Sequence, residues 1–215
     1  MGNASGNNTE LGRDVQPGWI DLFGWGTTGK NQYGQPPYSI DEDASKYKTI
    51  ETAASDEMLT RENDGDWGVC MGEGWRTLSN NEWSYLTKIR EGADEKIGYA
   101  TVAGVRGIII LPDKFNDPMK NNGDGAFKPK SEREWSENIY TETDWKAMEK
   151  AGAVFMPATG NRHGCTVSNV GNECIYWSSK ANNSNYVYYI NFLASSPFAV
   201  DYATREYGFP VRLVR

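Results

Sequence analysis

Apolar residues at helical spacing predict a helix that begins near residue 79. Residues 79–82 (Ser-Asn-Asn-Glu) have the capping-box pattern, in which the serine and glutamate side chains bind each other's backbone N–H groups. Trp83, Leu86 and Ile89 then recur on one face, and Gly92 is expected to end the helix.

A second helix is predicted over residues 143–150. Trp145 and Met148 should face the core, and Gly152 should stop the helix. Residues 19–23 predict a short strand, 39–55 one or two helical turns, and 64–68 a turn. Further strands are predicted at 105–111, 153–157, 186–192, 198–202 and 208–214, the last three as short strands in antiparallel hairpins.

Period-two alternation sorts the tyrosines of the 186–192 strand. It places Tyr186, Tyr188, Ile190 and Phe192 on one face and Tyr189 on the other. Because Ile190 and Phe192 should face the core, Tyr188 is expected to be partly buried, Tyr189 exposed and Tyr186 at the rim.

Composition predicts a single domain with many turns and long loops, and two helices followed by a β-rich end predict the α+β class. The 215 residues include 8 Trp, 12 Tyr and 7 Phe, whose burial offsets a hydrophobic content of only 38%, while 23 Gly and 9 Pro indicate many turns. Residues 1–16 are interpreted as a disordered polar tail and 17–215 as the domain. The net charge of -7 argues against nucleic acid and anionic membranes as partners. No apolar run predicts membrane insertion, and no signal peptide is visible.

Candidate reactive groups are few. Cys165 and Cys174 could form a disulfide and leave Cys70 free, or all three cysteines could be unpaired. His163 is the only histidine, and no CxxC spacing occurs, so neither a zinc site nor a catalytic triad is predicted. Residues 113–117 and 121–125 are rich in oxygen ligands but lack EF-hand spacing; a structural calcium stays a minor alternative to simple turns. Arg212 and Arg215 could bind anions or pair with an acid such as Glu82.

The segment 176–215 combines a regular frame with side chains of no common chemistry. The frame is Tyr-Trp-Ser-Ser at 176–179, Ile-Asn-Phe at 190–192 and Gly-Phe-Pro-Val-Arg-Leu-Val-Arg at 208–215. Tyr, Asn and Ser dominate between these elements, as they do on binding surfaces. The frame residues expected in the core are Trp177, Phe192, Phe209, Val211 and Leu213.

With residues 74–83 and 152–162, this frame resembles the C-type lectin fold in its formylglycine-generating-enzyme-like branch. The resemblance spans roughly residue 75 to 215 and implies two helices packed on short antiparallel strands with long loops. More narrowly, 176–215 is similar to the variable region of proteins diversified by retroelements. In those proteins, error-prone copying at template adenines lets Asn codons become Tyr, Asp, Ser, Thr, Ala, Leu, Phe or Val.

The resemblance implies a non-catalytic receptor or adhesin with a hypervariable surface, without cofactor or metal. Its ligand would be a macromolecule, either a surface protein or a glycan, and its location a cell surface or a phage virion. Nine candidate ligand-binding residues follow from the resemblance: Tyr186, Tyr189, Leu193, Phe198, Asp201, Tyr202, Thr204, Glu206 and Tyr207.

Two other functions exist for this fold. A formylglycine-generating-type oxidase would need a reactive cysteine pair that binds copper, and related iron-dependent enzymes need a histidine cluster. A calcium-dependent carbohydrate-binding module would be expected to carry Glu-Pro-Asn or Trp-Asn-Asp motifs. This sequence contains neither tripeptide, and its cysteines lack the oxidase sequence context.

Overall fold

A computed structural model describes residues 22, 24–26, 66–129, 135–163, 166–193 and 199–215. The predictions for residues 1–16 and 39–55, most of the 19–23 strand, and Phe198 therefore lie outside the described residues.

The described residues form two α-helices and eleven short strands, so the α+β prediction is confirmed. The helices are α1 (Asn80–Ser84) and α2 (Glu142–Lys150). The strands are β1 (Arg76–Thr77), β2 (Ile97–Val102), β3 (Val105–Ile110), β4 (Ile139–Tyr140), β5 (Val154–Pro157), β6 (Asn161–His163), β7 (Thr166–Ser168), β8 (Glu173–Ala181), β9 (Tyr186–Leu193), β10 (Ala199–Thr204) and β11 (Leu213–Val214). Only residues 66–68 of the turn predicted at 64–68 are described, and Trp67–Met71 form a 3₁₀ turn that Asp66 caps.

The capping box that predicts α1 is present. The Ser79 hydroxyl accepts from the Glu82 backbone N–H at 3.3 Å, and the Ser79 N–H donates to the Glu82 carboxylate at 2.9 Å. Trp83 is buried and Leu86 half-buried, as predicted. Gly92 follows the end of the helical segment in a left-handed conformation, with φ of 63°.

The prediction that Ile89 faces the core is wrong, because its side chain is 70% exposed. After Ser84 the chain continues as a π-helical turn, Tyr85–Ile89, closed by the Arg90 N–H donating to the Tyr85 carbonyl at 3.0 Å. The wider turn shifts the inward face by about one residue. Thr87 and Arg90 are therefore buried in place of Ile89.

The second helix forms nearly where it was predicted. Thr141 caps α2 with the pattern that Ser79 uses, and its hydroxyl accepts from the Asp144 N–H at 3.2 Å. Met148 is fully buried and Trp145 packs against the same cluster. The helix stops before Gly152, whose φ is 97°.

The strands form four antiparallel or mixed sheets within the described residues. The larger sheets have the orders β4-β2-β3-β5 and β10-β9-β8, and the smaller ones pair β1 with β11 and β6 with β7. All pairs are antiparallel except β2–β4. The strands predicted at 105–111, 153–157, 186–192 and 198–202 are confirmed to within about two residues as β3, β5, β9 and β10.

The strand predicted at 208–214 is wrong in extent and in partner. Gly208 forms an isolated antiparallel β-bridge with Arg162. The Pro210 carbonyl accepts a hydrogen bond from the backbone N–H of Trp177 at 3.1 Å. Only β11 is regular, and it pairs with β1 instead of forming a hairpin with β10. The segment changes partner along its length, and Pro210 cannot donate to a ladder.

The β8–β9–β10 sheet lies between two hydrophobic clusters. Ile190 and Phe192 belong to a cluster shared with Trp83 and with β2, β3 and β5. Trp177 and Val187, which point the other way, belong to a second cluster. This sheet is therefore covered on both faces along much of its length.

We expect Ser79→Ala to lower the free energy of unfolding by about 1 kcal/mol, because it removes the acceptor for the Glu82 N–H. Urea denaturation measures the change. Ser84→Ala is the matched control, since the Ser84 side chain makes no cap hydrogen bond and should change stability little. Equal losses for the two variants would contradict the capping role of Ser79.

Candidate ligand-binding surface

A fixed aromatic frame lies beneath the C-terminal hairpin. Trp177 is fully buried, and its ring centroid lies 4.2 Å from that of Phe209. The indole N–H of Trp83 donates to the Trp177 carbonyl at 3.4 Å, and that of Trp25 donates to the Ser178 carbonyl at 2.8 Å. The core positions predicted for Trp177, Phe192 and Phe209 are confirmed; Val211 and Leu213 are half-buried against the cluster that contains Trp177.

The turn between β8 and β9 is tied to the residue that follows β10. The Asn183 side-chain oxygen accepts from the N–H groups of Asn185 and Tyr186, both at 2.9 Å. Nη2 of Arg205 donates to the Asn183 carbonyl at 2.9 Å, and the buried guanidinium lies 4.8 Å from the centre of the Trp25 ring. These contacts hold the ends of the hairpin in one arrangement.

Tyr186 and Tyr202 form an exposed aromatic pair on one face of the sheet. Tyr186 lies opposite Thr204 and Tyr188 opposite Tyr202, so all four residues share this face. The rings of Tyr186 and Tyr202 are diagonal neighbours with centroids 5.5 Å apart at 78°. Their exposed fractions are 38% and 52%, whereas Tyr188 is half-buried as predicted.

Tyr189 lies on the opposite face and is half-buried, so its predicted exposure is wrong. Its ring centroid is 5.1 Å from that of Phe209 and 6.4 Å from that of Trp177. The alternation argument assumed a single core on the Ile190 side, but the second cluster also covers this face. The Tyr189 hydroxyl reaches the surface side, where it donates to Asp201 at 3.4 Å.

This environment fixes the protonation state of Tyr189. Burial raises the pKa of the phenol to about 12, and the adjacent Asp201 carboxylate adds to the rise. The hydroxyl therefore stays neutral at physiological pH and serves Asp201 as a hydrogen-bond donor.

The segment after β10 continues the aromatic surface. Tyr207 lies 5.7 Å from Phe209 by ring centroids and stacks on His163 at 4.6 Å and 22°. The Thr204 hydroxyl donates to the Glu206 carboxylate at 2.5 Å. His163 lies in β6, and no local sequence signal indicated its contact with Tyr207.

The candidate residues thus fall into two groups that meet along β10, the edge of this sheet among the described strands. Tyr186, Tyr202 and Thr204 share one face, whereas Tyr189 and Asp201 share the other. Glu206 and Tyr207 follow β10, and Leu193 ends β9 opposite Glu173. Phe198 lies outside the described residues.

Glu82 does not pair with the C-terminal arginines as suggested. Arg76 makes two hydrogen bonds to it, of 2.8 and 2.5 Å. Arg76 belongs to β1, which leads directly into α1, so it lies closer to Glu82 along the chain than Arg212 or Arg215 does.

Cys174 is a buried free thiol, and Cys165, its partner in the disulfide alternative, lies outside the described residues. The Cys174 sulfur donates to the Met156 carbonyl at 3.6 Å, and burial raises its pKa well above the ordinary value.

The carboxylates of the first oxygen-rich loop, residues 113–117, bind other groups of the protein. Asp117 accepts from the N–H groups of Met119 and Phe127 at 2.8 and 2.9 Å, while Asp113 contacts Arg90 and Lys96, each at 3.4 Å. Within the described ranges, no three His, Cys, Asp or Glu side chains come together as a metal-binding group.

No family model, curated protein or solved structure matches this chain. In the part of the chain that the structure describes, no helix is long and apolar enough to cross a membrane.

We expect the stability of the wild type to fall more steeply than that of Tyr189→Phe as pH rises from about 9 to about 12. The unfolded chain releases the tyrosine proton near pH 10, whereas folded Tyr189 holds it to about 12, so rising pH favours unfolding across that window. Urea denaturation at a series of pH values measures the difference.

Asp201→Asn serves as the control for the charge contribution. Asp201→Asn should reduce only in part the steepness with which the free energy of unfolding falls as pH rises, because burial is the larger cause of the raised pKa of Tyr189. If the free energy of unfolding changed with pH in the same way for the wild type and Tyr189→Phe, the raised pKa of Tyr189 would be contradicted.

Proposed function

We propose that this chain is a non-catalytic ligand-binding protein of receptor or adhesin type, with a C-type lectin fold and a surface diversified by a retroelement. The observation that carries the proposal is the exposed Tyr186–Tyr202 pair at the edge of the sheet among the described strands, with Asp201 on the opposite face of the same edge strand. The α+β architecture, with two helices and several short sheets, is compatible with that fold.

The exposed pair suits protein or glycan recognition. Tyrosine offers a large, rigid contact area with few rotatable bonds, together with a hydroxyl for directional hydrogen bonds. Aromatic side chains at the centre of an interface often carry most of its binding energy. Asp201, on the opposite face of β10, and Glu206, which follows β10, add negative charge near this edge, so a ligand with complementary donors or cations would be favoured.

The separation of frame and surface supports diversification. Trp177, Phe192 and Phe209 are buried and contact several partners, so changes there would disturb the core. Tyr186 and Tyr202 contact each other and are 38% and 52% exposed, so substitutions there should disturb the fold less than substitutions in the frame. A protein that varies its binding residues requires this independence.

The oxidase alternative receives no support from Cys174, since its thiol is buried and donates to a core carbonyl. We therefore propose a macromolecular partner, either a surface protein or a glycan. The chain would be displayed on a cell surface or a phage virion.

A substitution scan of residues 176–215 displayed on yeast tests the division into frame and surface. We expect changes at Tyr186, Tyr202 and Glu206 to alter the free energy of unfolding by no more than about 0.5 kcal/mol, measured by protease resistance. Trp177→Ala and Phe209→Ala should cost about 3–5 kcal/mol. Similar tolerance at the two sets of positions would contradict the proposal.

Selection for binding tests the function itself. A library varied at the nine candidate residues, panned against serum albumin as an arbitrary protein target, should yield enriched binders. The matched control varies exposed residues away from the hairpin, including Met71, Ile89, Arg106 and Ile139. Equal enrichment from both libraries, or none from the first, would contradict a dedicated binding surface.

A further inference from the structure

A cavity of about 440 Å³ lies away from the candidate ligand-binding surface. Its walls come from the α1 segment, from β3 and β5, and from β11; none of the nine candidate residues lines it. The apolar wall includes Trp83, Leu86, Val154 and Met156. Its volume falls in the range of about 300–1,000 Å³ that is typical of small-molecule sites.

Arg90 brings a buried positive charge to this cavity. Its side chain is only 4% exposed; Nε donates to the Leu86 carbonyl and Nη1 to the Leu111 carbonyl, each at 2.8 Å. Nη2 is buried and has no hydrogen-bond partner in the described structure. An unsatisfied buried donor on a charged group is costly, so an acceptor in the cavity would be stabilised there.

Among the described residues, the lining carries more positive charge than neighbouring carboxylates balance. Arg212 and Arg215 also line the cavity, and no described acidic side chain does. Asp113 is the carboxylate in contact with Arg90, but it is 59% exposed, lies 3.4 Å away and is shared with Lys96. Among the described residues, neither Arg212 nor Arg215 forms an ion pair with a carboxylate.

We propose that this cavity binds a small amphiphile with a hydrocarbon body and a carboxylate headgroup. The hydrocarbon would contact the Leu86, Val154 and Met156 wall, and the carboxylate would accept from the arginines. Guanidinium groups match carboxylates in geometry as well as in charge. This second site is independent of the proposed diversified surface.

Octanoate is the probe for this site, compared with octan-1-ol and octyltrimethylammonium in the full chain. We expect octanoate to bind at least about tenfold more tightly than octan-1-ol, the difference typical of a charge-assisted hydrogen bond, and the cation not to bind. With carbon-13 methyl-labelled methionine, the Met156 signal should shift, whereas Met148, in a separate core cluster, should not.

Two variants test the assignment by different routes. Val154→Phe should fill the cavity and Arg212→Gln should remove a headgroup contact, each weakening octanoate binding by about tenfold or more. Arg106→Gln is the matched control, because Arg106 is exposed on β3 and does not line the cavity. Tyr202→Ala should also leave octanoate binding unchanged.

The proposal is overturned if octanoate does not bind, or if octan-1-ol binds as tightly. It is also overturned if the Met156 signal stays unshifted or if both cavity variants bind like the wild type. Tyr202→Ala changes the proposed ligand-binding surface and leaves the cavity intact. A lack of octanoate binding therefore contradicts the cavity proposal and leaves the diversified-surface proposal unaffected.

Discussion

The packing of the C-terminal half of the fold depends on the contacts of Trp177. The backbone N–H of Trp177 donates to the Pro210 carbonyl, and its backbone carbonyl accepts from the indole N–H of Trp83. Its ring packs on that of Phe209. These contacts join β8, the α1 segment and the irregular segment before β11. A buried tryptophan removes a large apolar area from water, and here it also sets the position of the neighbouring strand β9. The buried contacts of Trp177 therefore hold the β8–β9 hairpin in place without depending on the exposed side chains of that hairpin.

Burial of this sheet on both faces limits where variation can occur. Tyr189 packs on Phe209 and keeps only its hydroxyl toward Asp201, so its substitution affects the core as well as the surface. Tyr186 and Tyr202 lie where neither cluster covers the sheet. The proposed recognition surface thus follows the β10 edge and includes residues of both faces, because the core occupies the rest of each face.

Local signals predicted the local structure. The Ser79–Glu82 pattern identified α1, and the spacing of Trp145 and Met148 identified α2, because capping and helical period act within a few residues. The Thr141–Asp144 pattern could have placed the start of α2 more closely. The contacts that the sequence did not reveal are non-local: β11 with β1, His163 with Tyr207, and the cluster over Tyr189. The π-helical turn is local, but no residue pattern marked it, and it moved Arg90 into the interior.

Sequencing the 3′ end of the gene across a population, with its flanking DNA, is the decisive test of diversification by a retroelement. We expect substitutions confined to codons such as those for Tyr186, Tyr189, Asp201, Tyr202 and Tyr207. Codons for buried frame residues should stay constant, and a near-identical repeat and a reverse transcriptase gene should lie nearby. Substitutions spread evenly along the gene, with no repeat beside it, would contradict diversification.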